Sequence, residues 1–482
     1  KRLLLILLLL ATPLAAQDLL ASQDPALVQA AKSGDPQAAF ELGSNLAAAG
    51  REPDLRAALP WLRQAYRDAK ALNPANPLLA GQSALVLSRV LANLSQPRNA
   101  LDLAVEAQSA FETYSATATG DRYLVAIALE DQAVLLQNLS RYPESILLLE
   151  QARAIYEASL GTDSVAVANT WLNQGVGHEG ANDLDAALLA YGSGLAIFRA
   201  QTGDESREVG ALANNIGWIY LRQKNYAEAR DWFLLAQGIL EKRDGSFTPN
   251  STTLQINLGL VSLGEGKLDE AVRWGMQALP YLTANRAQTL DDQRWNFEML
   301  SRAFAEKGDP GRAILFGKLA VNAQQEFRAA NTVSGAQDLT ESQREWFRLY
   351  QRLADLLIGQ GRISEAQAVL NMAKEEEVFE FLQRDASADL SETRAHLTSR
   401  ETADQQQLAN LAQAPIAAAQ ALQALMVKFN AGTATAAEEE QIYALQDQLQ
   451  AASDAFDQSV AAFLAAAPPA QQQGLQTQFD AV

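Results

Sequence analysis

Four residues recur at one interval: Asp131, Asn173, Asn215 and Asn257 stand 42 positions apart in a chain of 482 residues. A carboxamide donates through its nitrogen and accepts through its oxygen, so a column of Asn suits a peptide backbone, which offers one group of each kind. The same amide serves equally well to bond one structural unit to the next, and the spacing fits both readings. Beside the column, Asn214, Trp218 and Arg222 fall on one helical face, and Glu298 and Arg302 take up the matching positions further along. Together these residues are the candidate ligand-contacting set, the column suited to main-chain groups and its neighbours to side chains.

Other chemistry is sparse. Two His and no Cys cannot assemble a common structural zinc site, and no Gly-rich phosphate loop opens a helix. His178 falls in the slot that Tyr220 and Phe304 fill elsewhere, so it is expected in the core, whereas His396 lies in a polar connector and is expected in solvent. Glu375, Glu376 and Glu377 read as a solvated helix face. No catalytic residue, metal site or cofactor is expected, and the chain does not read as an enzyme. With 38 Lys plus Arg against 57 Asp plus Glu, the net charge of −19 disfavours nucleic acid and anionic membranes as partners.

The elements that position the column are clearest in Gly210 to Arg243. Ile216, Gly217 and Tyr220 share one helical face; after a four-residue turn, Tyr226, Ala229, Phe233 and Ala236 share another. Small residues stand where two helices would cross and large ones where the gap opens. The position of Ala229 returns at Ala58, Ala100, Ser145, Ala187, Ala271, Ala313 and Ala366, mostly 42 residues apart, so the chain is read as about eight helix pairs. Residues 24–385 form this array, and its eighth unit is displaced by extra residues around Asn331 to Leu339. The first unit is degenerate, with Pro60 inside its second helix. A repeat array needs no single large core, because each unit packs only on its neighbours.

This alternation of small and aromatic positions resembles the tetratricopeptide repeat (TPR) in an extended 42-residue form similar to that of kinesin light chains. The resemblance implies an all-α right-handed superhelix whose first helices line a concave groove, with Asn there clamping an extended ligand. A protein or peptide ligand is the partner it implies.

Lys1 to Ala16, KRLLLILLLLATPLAA, has two basic residues, an apolar run and small residues before Gln17. It reads as a secretory signal peptide without a lipoprotein Cys, which places the mature protein in the periplasm or outside the cell. No other run approaches about 18 apolar residues, so no transmembrane segment is expected.

From 386 to 482 the register stops and the chain becomes Gln/Ala-rich and acidic. Leu408, Leu411, Ala418, Leu422, Leu425 and Phe429 form one apolar seam, with Pro415 kinking its helix. Ile442, Leu445, Leu449, Ala452, Phe456 and Phe463 form a second seam behind a Thr435–Glu438 capping box. The two make a helical hairpin, closed by Pro468 and Pro469. The run KEEEVFEFLQRD followed by this hairpin resembles the connector of bacterial proteins in which TPR arrays precede a CHAT domain, a caspase-like peptidase. That resemblance implies a downstream CHAT domain beyond Val482 and a sensor role for the array. Its His and Cys dyad has no counterpart here.

Overall fold

The computed structural model describes residues 19–20, 22–72, 75–119, 122–331, 340–382, 394–430 and 432–465, and no strand occurs among them. The expected leader, Lys1 to Ala16, lies outside these residues, as do the insertion at 332–339, the prolines Pro468 and Pro469, and the side chains of Glu375, Glu376 and Glu377.

A short helix α1 (Pro25–Lys32) precedes eight pairs. These are α2 (Pro36–Ala47) with α3 (Glu52–Ala71), α4 (Pro77–Asn93) with α5 (Pro97–Tyr114), α6 (Tyr123–Asn138) with α7 (Tyr142–Leu160), and α8 (Val165–Gly180) with α9 (Leu184–Thr202). The series continues with α10 (Arg207–Arg222) and α11 (Tyr226–Asp244), α12 (Pro249–Gly264) and α13 (Leu268–Ala284), α14 (Leu290–Glu306) and α15 (Pro310–Asn331), and α16 (Thr340–Gly359) and α17 (Ile363–Leu382). Many of these helices open with Pro in their first turn, where its missing N–H costs nothing.

Each pair is closed by a tight turn containing one residue in the left-handed region: Gly50, Ser95, Ser140, Asn182, Lys224, Gly266, Gly308 and Gly361. Lys224, at φ 61, accepts a strain that Gly266 avoids at the matching place.

The small residues read as crossing points are buried in all eight pairs. Ala58, Ala100, Ser145, Ala187, Ala229, Ala271 and Ala313 are 0% exposed and Ala366 is 2% exposed. At several crossings a larger residue interlocks with a glycine of the partner helix. A Cβ on Gly217 would lie 2.8 Å from the Phe233 ring, and one on Gly175 would lie 2.3 Å from Tyr191. No side chain fits at either place without moving an aromatic.

The chain forms two compact units that divide between Leu212 and Ala213, inside α10. In the first, Leu42, Leu62, Ala65, Leu87 and Ala100 build a core running across the early repeats, including the degenerate first pair, where α3 continues through Pro60. The second unit takes in the remaining repeats and the acidic region as well.

The acidic region differs from the expected hairpin in its helix count. It holds three helices, α18 (Ser399–Leu411), α19 (Gln413–Asn430) and α20 (Ala436–Ala465). The seam expected to kink at Pro415 is instead cut at Ala412. Pro415 has no N–H for the Leu411 carbonyl and its ring would collide with that group, so one helix stops and another starts. The expected boundary at 385/386 lies outside the described residues, and beyond it Leu408, Ala412, Ile416, Phe456 and Val460 share one core with Ala271, Met276, Leu300 and Phe304 of the repeats. Arg312 donates to the carbonyls of Phe463 and Leu464 near the end of α20, at 3.2 and 2.8 Å. Of the first seam, Leu408 and Ala418 are buried while Phe429 is 48% exposed; of the second, Ile442, Leu445, Leu449 and Phe456 are buried. The Thr435–Glu438 capping box is formed, with both N–H groups donating across it at 2.8 and 3.3 Å.

Replacing Ala229 by Leu overfills a crossing that has no exposed surface, at an expected cost of about 1–3 kcal/mol. Denaturant unfolding followed by circular dichroism measures it; an unchanged midpoint would misplace the crossing.

Candidate functional site

In the first unit the column begins with charge. Arg89 on α4 donates to both carboxylate oxygens of Asp131 on α6, at 2.6 and 3.1 Å. One residue earlier, Glu130 accepts from the Asn173 amide at 2.9 Å and from the Tyr156 hydroxyl at 3.2 Å. Burial, with the like charge of Asp131 adding to it, pushes the Glu130 carboxyl above its ordinary range, against the pull of its two donors.

In the second unit the same bond recurs with a different acceptor: Asn257 on α12 donates to Asn214 Oδ1 on α10 at 3.0 Å. Asn257 is 5% exposed, and Asn214 in turn lies 3.5 Å from Asn215 Oδ1. Arg352 on α16 repeats the pattern once more by donating to Glu298 on α14, itself 5% exposed. Asn173 to Glu130, Asn257 to Asn214 and Arg352 to Glu298 are therefore three copies of one rung. Each joins the first helix of a repeat to the residue that precedes the column position in the repeat before it.

Asn173 and Asn257 thus bond a neighbouring repeat, one of the two roles the spacing had left open. The partners Glu130 and Arg352 were not singled out from sequence. A signal for the acceptors exists: Glu130, Asn214 and Glu298 stand 84 positions apart, with Leu172 and Ile256 between them. Polar acceptors thus occur in alternate repeats. A second contact has the same alternation, since Cβ atoms on Gly180 and Gly264 would each lie 2.2 Å from a Tyr, Tyr142 and Tyr226.

Of the remaining candidates, Trp218 meets Trp295 edge to face, with ring centroids 5.9 Å apart, so the two indoles join α10 to α14. Arg222 is exposed in the last turn of α10. Arg302 and Glu298 come together in the wall of a cavity of about 350 Å³, completed by Gly317 of α15 and by Arg352 and Asp355 of α16. Asp131 and Asn173 belong to the first unit and the other seven candidates to the second. His178 is half-buried and His396 exposed.

A family model for the tetratricopeptide repeat matches residues 124–200 and 208–284. Those two blocks are tetratricopeptide repeats. The fold is an all-α TPR solenoid, and each TPR block spans two helix pairs joined by one rung, Asn173 to Glu130 in the first and Asn257 to Asn214 in the second. Kinesin light chain-related protein 3 of Arabidopsis thaliana is 25% identical over 195 residues, which are 39% of this chain and 30% of that protein. The chain thus spans under a third of the length of that relative. Among solved structures, BtubC from P. vanneervenii matches with a TM-score of 0.41 and 20% identity, over 55% of this chain and 93% of its own. Aspartyl phosphate phosphatase F of Bacillus subtilis matches with a TM-score of 0.48 and 14% identity, over 68% and 78%.

Within the described residues, no group of three or more His, Cys, Asp or Glu is placed to hold a metal ion, and no helix is long and apolar enough to cross a membrane.

Two outcomes follow from these side chains. Asn257→Ala removes a buried amide and leaves the half-buried Asn214 without that donor, so stability should fall by about 1–3 kcal/mol, read from denaturant midpoints. Asp292, in the first turn of α14, is pushed up to about 6 from 3.8 by burial and by neighbouring Asp291, against a hydrogen bond from Thr253. Folding therefore favours its protonated form; that contribution is fully present below pH 3.8 and is lost as pH rises through 6. Asp292→Asn should melt higher than the parent at pH 7.5, with the difference gone by about pH 4.

Proposed function

We propose that this protein is a non-enzymatic interaction scaffold that binds a peptide or protein segment along the first helices of its TPR solenoid. The observation that carries the reading is the cavity of about 350 Å³ between repeats seven and eight. There, Glu298 and Arg302 from one first helix face Arg352 and Asp355 from the next. Arg302 and Asp355 are exposed at this cavity, while the buried Glu298 is held by Arg352, so the wall offers both signs of charge on a fixed base. A ligand segment with one acidic and one basic side chain matches it. Asn173 and Asn257 act here as supports that fix the spacing of the first helices. Asn215, Trp218 and Arg222 lie further along the same row of helices.

Binding in a shallow, partly polar site of this kind is expected at micromolar Kd, about 8 kcal/mol at the standard state. Panning a displayed random-peptide library on the parent should enrich one family of segments, and Arg302→Glu should weaken their binding at least tenfold while leaving the melting temperature unchanged. Failure to enrich any family, or equal binding by the variant, overturns the reading.

Export completes the proposal: the apolar run behind two basic residues at Lys1 to Ala16 supports it. A reporter active only outside the cytoplasm, fused after Gln17, would stay silent if the leader reading is wrong. A second reading, that the array is the sensor of a CHAT peptidase, is favoured by the packing of 399–465 onto the repeats, since a connector joined to a shared core can carry a signal from them. Sequencing the gene past Val482 decides it, because a stop codon there removes the peptidase.

A further inference from the structure

Lys318, Asn322 and Glu326 form a row along α15, four residues apart, on the second helix of repeat seven. Against that row lies the stretch from Arg394 to Leu397, which is neither helix nor strand. Asn322 takes Ala395 by both of its main-chain groups. Its Nδ2 donates to the Ala395 carbonyl at 3.1 Å, and the Ala395 N–H donates to its Oδ1 at 2.8 Å. Lys318, whose side chain is 1% exposed, donates to the His396 carbonyl at 2.7 Å. Glu326 meets the Arg394 guanidinium at 3.0 Å.

The side chains alternate along this strap. Arg394 lies at the rim, the Ala395 methyl is 5% exposed within the core that contains Ile314, Val321 and Leu349, and His396 returns to solvent. A groove that binds extended chain works in this way, taking affinity from main-chain bonds and selectivity from alternate pockets. The backbone clamp expected of the first-helix Asn column is built here instead, on a second helix, and it holds the chain's own backbone. Lys318 is fixed in place by Glu365 at 2.6 Å, so one of its anchors does not depend on the strap. Its other carboxylate partner, Glu401 at 2.8 Å, follows the strap in the capping box that opens α18.

We infer that the Lys318–Asn322–Glu326 row is a recognition site for an extended segment in which a basic residue precedes a small one, and that residues 394–397 occupy it in cis as a latch. The pocket for the second residue admits a methyl and excludes anything large. An external segment of the same chemistry competes with a tethered one whose effective concentration is in the millimolar range, so the site is closed to weak ligands until the strap is displaced. None of Lys318, Asn322 and Glu326 lines the Arg302 cavity, although Leu349 borders both places, and the peptide probe below reads the row and not Arg302.

A fluorescent peptide with the sequence of residues 394–399, capped at both ends, is the probe, and polarisation against the full chain is the readout. The parent should not bind it. Ala395→Glu, which puts a charge where only a methyl fits, opens the latch without touching the row, and that chain should bind the peptide at least tenfold more tightly than the parent. Adding Asn322→Ala to the opened chain should abolish binding, as should placing Trp at the Ala position of the peptide. An opened chain that keeps its helical circular dichroism yet does not bind, or that binds the Trp peptide equally, overturns the inference. If Ala395→Glu fails to fold, Arg394→Glu sets two carboxylates against each other at the rim and opens the latch in its place. Hydrogen exchange adds a second readout: the Ala395 amide should exchange at least tenfold faster in Asn322→Ala, with α15 unchanged. Equal exchange in both chains overturns the clamp.

Discussion

The closeness of two helix axes is the constraint on which the rest depends. A pair can bury enough apolar surface only if its helices approach at one point, and that point tolerates Ala, Ser or Gly and nothing larger. The crossing residues from Ala58 to Ala366 meet this requirement in all eight pairs, and the aromatic residues on either side fill the space that the crossing opens. The position of each first helix, and thus of each rung and of the cavity wall, follows from where its pair crosses.

Because that constraint is steric and local, it leaves a plain record in the chain. Ala229, Phe233 and Gly217 each have a size dictated by one contact, so periodicity alone located the crossings and the helix pairs around them. The rungs were less visible. Asn173 and Asn257 stood out by recurrence, but recurrence does not distinguish an amide that meets a ligand from one that meets the next repeat. What distinguishes them is the residue at the other end of the bond, 43 positions away, and its type changes from Glu130 to Asn214. The acidic region was legible as helices with apolar seams. Its docking was not, since Leu408 and Phe456 look alike whether they pack on each other or on Met276.

Asn322 shows the limit in another form. It belongs to no column and lies on a second helix, so nothing in the periodic pattern draws attention to it. Its function comes from one contact with Ala395, 73 residues later and in a stretch without periodicity. Contacts of that kind are set by where a connector returns to the array, which no local pattern encodes.

The alternation of the rungs has a consequence for how such an array could be lengthened or shortened. Removing the repeat that carries Asn214 would place Asn257 behind Leu172, leaving a buried amide facing hydrocarbon. Removing that repeat together with the one before it would instead bring Asn257 behind Glu130, an acceptor, and Gly264 opposite Tyr142. The rung thus ties two successive repeats together, so that a loss of 84 residues there spares a buried bond that a loss of half that length would break.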